Sequence, residues 1–430
     1  MRAALIALAL LAPGIAAAQD HSMHDMPMPA PVPTSDPAPQ EHSMHGMAMA
    51  KEPAANAAPG SGTALLPAAE GAMHGLHLAA GDWMVMAHGS LNFVYTDQGG
   101  PRGGDMALVQ SMAMLSASRR FGDVGVEFRA MGSLEPAMGR RGYPNLFATG
   151  ETAYGQPLVD RQHPHDLFME LSARIDLPVA AGVSAFLYGG PVAEPALGPS
   201  AFMHRRSARY LALSPIAHHW FDSTHITYGV VTAGVKGRTL QLEASAFKGR
   251  EPDEARWGID APKLDSWSLR ATYTPSPNWA VQFSHGRLES PEAGHAGADE
   301  RRTTASVHYA RGGLSAMLAF AAKDRVPGNT LTAFVGEANW DIGRHHSLFG
   351  RVENVANDEL FPDHADPLHD RRFRVTRFEG GYAYRIQLSD KAQLALGGSL
   401  AAYAKPSALN AAYGRAPLSG TLFARLSLGD

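Results

Sequence analysis

No cysteine occurs among the 430 residues, which excludes disulfides, zinc–thiolate sites, iron–sulfur clusters and thiol catalysis together. Charge is also scarce. Asp, Glu, Lys and Arg make up 18% of the chain, with 37 basic against 41 acidic residues and a formal net charge of −4. A slightly acidic, weakly charged chain has no basic face to neutralise phosphates, so nucleic acid is excluded as a partner. No internal stretch approaches the ~20 apolar residues that a membrane-spanning helix requires. A chain of this kind can cross a membrane only as a closed barrel of strands. Aromatics are missing from one region: residues 20–81 contain no Phe, Trp or Tyr. Such a segment cannot bury enough apolar surface to offset its chain entropy, and disorder is expected there.

What is present begins with a secretory pattern. Arg2 supplies a positive end, Ala3 to Leu11 an apolar run, and Ala16 and Ala18 the small residues of a cleavage site. Three parts follow from this: a signal peptide over 1–18, a disordered Met/His-rich tail over 19–81, and a folded body over 82–430.

The body alternates. Trp267, Leu269, Ala271 and Tyr273 are interleaved with Ser268, Arg270 and Thr272, and Val124, Val126 and Phe128 with Gly125, Glu127 and Arg129. A period of two predicts strands with one apolar and one polar face. Tight turns fall near residues 120–122, 178–182, 236–238, 275–278, 311–313, 341–343 and 389–391. Longer segments fall at 133–164, 190–222, 249–264, 289–301 and 356–371. Short turns at one end and long loops at the other predict an all-β fold, an antiparallel transmembrane β-barrel of about sixteen strands in the bacterial outer membrane. An even count places both chain ends on the short-turn side, which puts the tail in the periplasm. The polar faces then line the lumen with Glu127, Arg129, Glu170, Arg174, Arg270, Arg351 and Glu353. Trp83, Tyr95, Trp267, Tyr273, Trp279, Tyr309, Trp340 and Tyr403 are expected to form interfacial girdles. A secreted β-sandwich is the competing architecture.

The tail carries a repeat. His21-Ser22-Met23-His24-Asp25-Met26-Pro27-Met28 recurs as His42-Ser43-Met44-His45-Gly46-Met47-Ala48-Met49, with a partial copy in Met73-His74-Gly75-Leu76-His77. Thioethers select Cu(I), whereas imidazole takes Cu(II) as well. The candidate copper ligands are therefore these methionines and histidines, with no covalent cofactor expected. The plainer reading is a low-complexity linker. Signal peptide, Met/His-rich tail and C-terminal barrel together resemble copper resistance protein B and its relatives. The resemblance rests on the tail motifs and the domain order. It implies a role in copper sequestration, export or resistance, with outer-membrane lipids, the outer-membrane assembly machinery and periplasmic copper proteins as partners.

Two stretches of the body concentrate histidine: His163-Pro164-His165-Asp166, and His218-His219 followed by Asp222 and His225. Ser214 as N-cap and Pro215 at the first helical position would start a short helix placing His218, Asp222 and His225 on one face. This is a second candidate metal cluster. Its alternative is a hydrogen-bonded plug that narrows the pore, because the spacing matches no motif of defined mechanism. No nucleophile elbow, phosphate loop or HExxH pattern occurs, so no enzymatic activity is expected. The leading functional expectation is an outer-membrane barrel with a periplasmic copper-binding tail. A general or solute-specific porin with an incidental tail is the alternative, and a barrel hydrolase stands behind both.

Overall fold

Sixteen strands close into one antiparallel barrel in the computed structural model, which describes residues 56–71 and 75–429. In chain order they are β1 (Trp83–Gln98), β2 (Gly104–Phe121), β3 (Val124–Gly132), β4 (Phe168–Ala180), β5 (Val183–Ala193), β6 (Thr227–Lys236), β7 (Leu240–Phe247) and β8 (Ser266–Ser276). The second half comprises β9 (Trp279–Leu288), β10 (Asp299–Arg311), β11 (Leu314–Val326), β12 (Thr330–Ile342), β13 (His346–Asn357), β14 (Phe373–Ser389), β15 (Ala392–Ala404) and β16 (Leu418–Leu428). Each strand pairs with its neighbour in sequence, and β16 closes on β1 from Ser419↔Gln98 to Leu428↔Gly89. Below that point the edge of β1 is paired by a short strand, Leu76–Ala80, from Leu76↔Ala87 to Ala80↔Trp83.

Burial along the strands is inverted relative to a soluble protein. In β8 Trp267, Leu269 and Tyr273 are exposed while Ser268, Arg270 and Thr272 are buried. In β11 Leu318 is 70% exposed between buried Met317 and Ala319. Apolar side chains on the outside and polar ones within are what a wall facing hydrocarbon requires. The strands are joined tightly at one end. Gly122 and Gly312 take φ of 61° and 59°, a left-handed conformation that L-residues adopt at a cost. A Cβ at either would meet nothing within 4 Å, so the backbone angle, not space, calls for glycine. The other end carries long connections, chiefly 133–167, 194–226, 248–265, 289–298 and 358–372.

The lumen is filled. Loops 133–167 and 194–226 fold inward, and so does a segment upstream of the barrel. Ala57–Pro59 pairs with Leu65–Pro67 in a small hairpin, followed by a 3-10 turn, Ala68–Glu70. The sequence expectation of disorder over 19–81 is therefore corrected for residues 56–71 and 76–80. The segment has little apolar surface of its own, but the wall supplies polar partners. Arg129 Nη1 donates to Gly62 O at 2.9 Å, Gln241 Nε2 to Thr63 O at 2.9 Å, and Arg270 Nη2 to Thr63 Oγ1 at 2.9 Å.

Three local expectations also change. Ser214 does not cap a helix; its hydroxyl pairs with Tyr143 OH at 2.9 Å, and α1 spans only His218–Phe221. Tyr403 turns inward, with its hydroxyl 3.0 Å from Ser419 Oγ, instead of joining a girdle. The outer rings of the girdle include Trp279 and Tyr309, whose centroids are 4.6 Å apart at the short-turn end. Met169 is fully buried although the alternation of Met169, Leu171, Ala173 and Ile175 with Glu170, Ser172 and Arg174 predicts an outward apolar residue there, because pairing with β3 slips between Phe168 and Glu170.

Candidate functional site

Charges on the inner wall form a mixed ladder. Arg270 Nε lies 2.9 Å from Glu243 Oε2, Arg351 Nε 3.0 Å from Glu353 Oε1, and Arg129 Nε 3.2 Å from Glu127 Oε2. Glu170 stands 3.5 Å from Arg129, and Arg174 makes a two-pronged contact with Asp176 at 2.8 Å. Arg351 and Glu353 are 2% and 0% exposed, burial that the wall of a wide water-filled channel does not have. Loop 194–226 accounts for much of it: Leu213 O accepts from Arg351 Nη2 at 3.0 Å, and Arg205 reaches Glu337 on β12 at 2.7 Å.

The five body histidines singled out from the sequence come together. Ring centroids separate His165 from His225 by 5.3 Å, His225 from His218 by 5.2 Å, His218 from His219 by 5.3 Å, and His163 from His218 and His219 by 6.1 and 6.2 Å. All five are buried. Each Nδ1 meets an oxygen: Pro164 O for His163, Glu135 Oε2 for His165, Asp222 Oδ1 for His218, Glu251 Oε1 for His219 and Asp222 O for His225. Asp222 thus serves two histidines and also accepts from Arg205. Asp166 is held instead by Arg256 at 3.1 Å.

The electrostatics divide the cluster. Burial pushes His163 down to about 4 despite the opposing pull of Glu151. Burial likewise lowers His218 and His225. Burial works against the charged form of His219 too, but the Glu251 carboxylate prevails and raises it to about 9. Glu151, Glu135 and Glu251 were missed from the sequence. Each lies in a connection between barrel strands, with no periodic signal to mark it.

Cavities lie on both sides of the cluster. One of about 750 Å³ at the long-loop end is walled by Glu151, Lys248, Glu251, Glu254 and Asp260. A smaller one of about 60 Å³ reaches His165, Met112 and Met203. Toward the short turns a third, of about 250 Å³, holds His88, Met203, His204, Arg206 and Glu70. Met112, Met114, Met131 and Met169 pack in one buried cluster, with Met86 and Met203 against it. The spacing of Met112 and Met114, two apart on one strand, was a readable sign of this stripe.

Of the tail candidates, His77 lies on the short strand Leu76–Ala80, exposed, with Nδ1 3.0 Å from Gly75 O. His21, Met23, His24, Met26, Met28, His42, Met44, His45, Met47, Met49, Met73 and His74 lie outside the described residues, as does the signal segment.

No family model matches the chain, and no curated protein does. Solved structures do match. An anion-selective porin from Comamonas acidovorans superposes with a TM-score of 0.52 and 12% identity, covering 80% of this chain and all of the porin. OmpF of Salmonella typhi, solved with daunomycin, gives a TM-score of 0.53 at 8% identity, covering 82% of this chain and all of OmpF. The chain therefore has the fold of an outer-membrane porin, with 56–71 inside it.

Proposed function

We propose that the protein is a gated passage barrel of the bacterial outer membrane, with its long loops outside and its short turns and tail in the periplasm. The observation that carries this reading is the porin fold combined with a lumen filled by two inward-folded loops and by a segment, 56–71, that belongs to neither the wall nor the loops. Residues 56–71 are seated by polar hydrogen bonds to Arg129, Gln241, Arg270 and Ser200, contacts that water can replace. Solute passes when that seat is vacated. Single-channel recording in planar bilayers tests it. Protein lacking 56–71 is expected to conduct in larger steps than the full chain, and equal conductance would overturn the reading.

Copper is a second reading of the cargo, favoured by the two His/Met repeats at 21–28 and 42–49 and by the lumenal stripe of Met86, Met112, Met114, Met131, Met169 and Met203. Both sets offer soft thioethers next to imidazoles. This reading matches the resemblance to copper resistance protein B and brings in periplasmic copper proteins as partners. Deleting 20–50 is expected to lower copper tolerance while leaving solute conductance unchanged. Unchanged tolerance would leave the general porin reading alone.

A further inference from the structure

We infer that Glu151, His163 and His219 form a binding site for a divalent transition-metal ion, Zn(II) or Cu(II), at the long-loop end of the lumen. The inference stands apart from both readings of the cargo, since it concerns a resident ion held by loops.

One ligand atom from each of the three residues lies within 4.8 Å of the others. Two come from loop 133–167 and the third from loop 194–226, so the site joins the two segments that fill the barrel. The tautomers follow from the partners. A carbonyl oxygen only accepts, so His163 Nδ1 carries the hydrogen that it shares with Pro164 O at 3.0 Å. Its Nε2 then comes within 3.0 Å of Glu151 Oε1, without hydrogen-bond alignment. Two acceptors at that distance repel unless a shared proton or a metal ion stands between them, and burial holds His163 low, against the proton. His219 Nδ1 donates to Glu251 Oε1 at 3.2 Å, and its Nε2, though buried, has no hydrogen-bond partner. One ring nitrogen tied to a protein oxygen and the other turned inward is the arrangement that orients imidazoles toward a metal.

The backbone is shaped to the same end. Gly150 has φ of +108°, and a Cβ there would lie 2.5 Å from His219 Cγ. Only glycine lets the chain entering Glu151 press against that ring. Arg256 Nη2 holds Glu151 Oε2 at 3.2 Å, which leaves Oε1 as the free donor. A second grouping, Glu292, His295 and Glu359, is a poorer candidate because Lys323 and Arg325 already neutralise its carboxylates. Two imidazoles and one carboxylate suit Zn(II) or Cu(II), and lack the thioether that Cu(I) prefers. Glu151 also walls the cavity of about 750 Å³, which gives the ion a route in and leaves room for water as a further ligand.

Equilibrium dialysis of the full chain in detergent against Zn(II) at neutral pH tests the site. His163→Gln and His219→Gln are each expected to bind one equivalent fewer than the unsubstituted protein. Glu251→Gln is expected to keep the equivalent but weaken it about 10–100-fold. The tail is present throughout, so the difference isolates the lumen. Identical stoichiometry in native barrels would overturn the inference. Should the glutamine variants fail to assemble, anomalous diffraction from zinc-soaked unsubstituted protein decides: a peak among the three residues supports the site, and no peak refutes it.

Discussion

The hydroxyl of Ser61 donates to Glu194 Oε1 at 3.0 Å, linking residues 133 positions apart. Ser61 sits in the lumenal hairpin and Glu194 opens the loop that lies beneath it. The same hydroxyl accepts from Ala201 N at 2.7 Å, so one serine fastens the segment to both ends of a turn.

Burial of the Glu194 carboxyl, which outweighs the Ser61 hydrogen bond that favours its ionised form, predicts a pH response. Burial pushes Glu194 up to about 8 and Glu70 up to about 7, both from 4.5. If vacating the seat lets water reach both carboxyls, they are expected to ionise closer to ordinary values. Their contribution to the seat is complete below about pH 4.5, falls as pH rises, and is gone above about pH 8. Conductance in planar bilayers is expected to increase from about pH 6 to pH 9, and Glu194→Gln to remove the upper part of that increase. A flat profile in the unsubstituted protein would show that these acids do not govern the seat.

Arg270 predicts a cost of a different kind. It is fully buried against Glu243 and also holds Thr63 and Gly198 O. Arg270→Met leaves a buried carboxylate without its cation and is expected to destabilise the barrel by about 3–5 kcal/mol. The double variant with Glu243→Leu should recover most of that in urea unfolding from vesicles. No recovery would mean that the arginine acts mainly through Thr63.

The outer face sets a depth-dependent expectation. Leu318 stands mid-strand on β11, and Leu388 lies beside the turn after β14. Leu318→Arg should cost about 2–4 kcal/mol and Leu388→Arg about 0–1, measured as folding into vesicles. Equal costs would place Leu318 outside the hydrocarbon.

Ligand chemistry divides the tail. In a peptide spanning 20–50, replacing Met23, Met26, Met28, Met44, Met47 and Met49 with Leu should weaken Cu(I) and spare Cu(II). Replacing His21, His24, His42 and His45 with Gln should do the reverse. Acidifying below about pH 6.5 should release Cu(II) only, because a protonated ring cannot ligate. Titration with each ion checks this, and equal losses of both ions in both variants would contradict it.

The wall was legible because it obeys a local rule. Trp83 opens the first strand and Leu428 closes the last, as the alternation and turns predicted, since period-two burial is written within each strand. The plug was not legible. Gly62 meets Arg129, and Thr63 meets Gln241 and Arg270, contacts that only the closed barrel creates. Counting the apolar surface of 20–81 alone left out what the enclosure supplies. The histidines stood out by density, but the oxygens that lock their tautomers are scattered over Glu135, Glu251 and a Pro164 carbonyl. Loop 190–222 was marked out by its length alone, as a long connection between strands. It is largely buried, and 257–264, where Trp257 and Leu264 are exposed, is the more accessible stretch.

The strand Leu76–Ala80 has a mechanical consequence. It completes the hydrogen-bonded edge of β1 below Gly89, an edge that hydrocarbon would not tolerate bare. The stopper and the seam it hangs from are thus neighbours in the chain. Five peptide links join Gly71 to Leu76, a reach of at most roughly 18 Å. On the proposed reading, a segment so tethered would clear the bore by pivoting about Leu76, like a clapper inside its bell, and full ejection would pull the wall open at its own join.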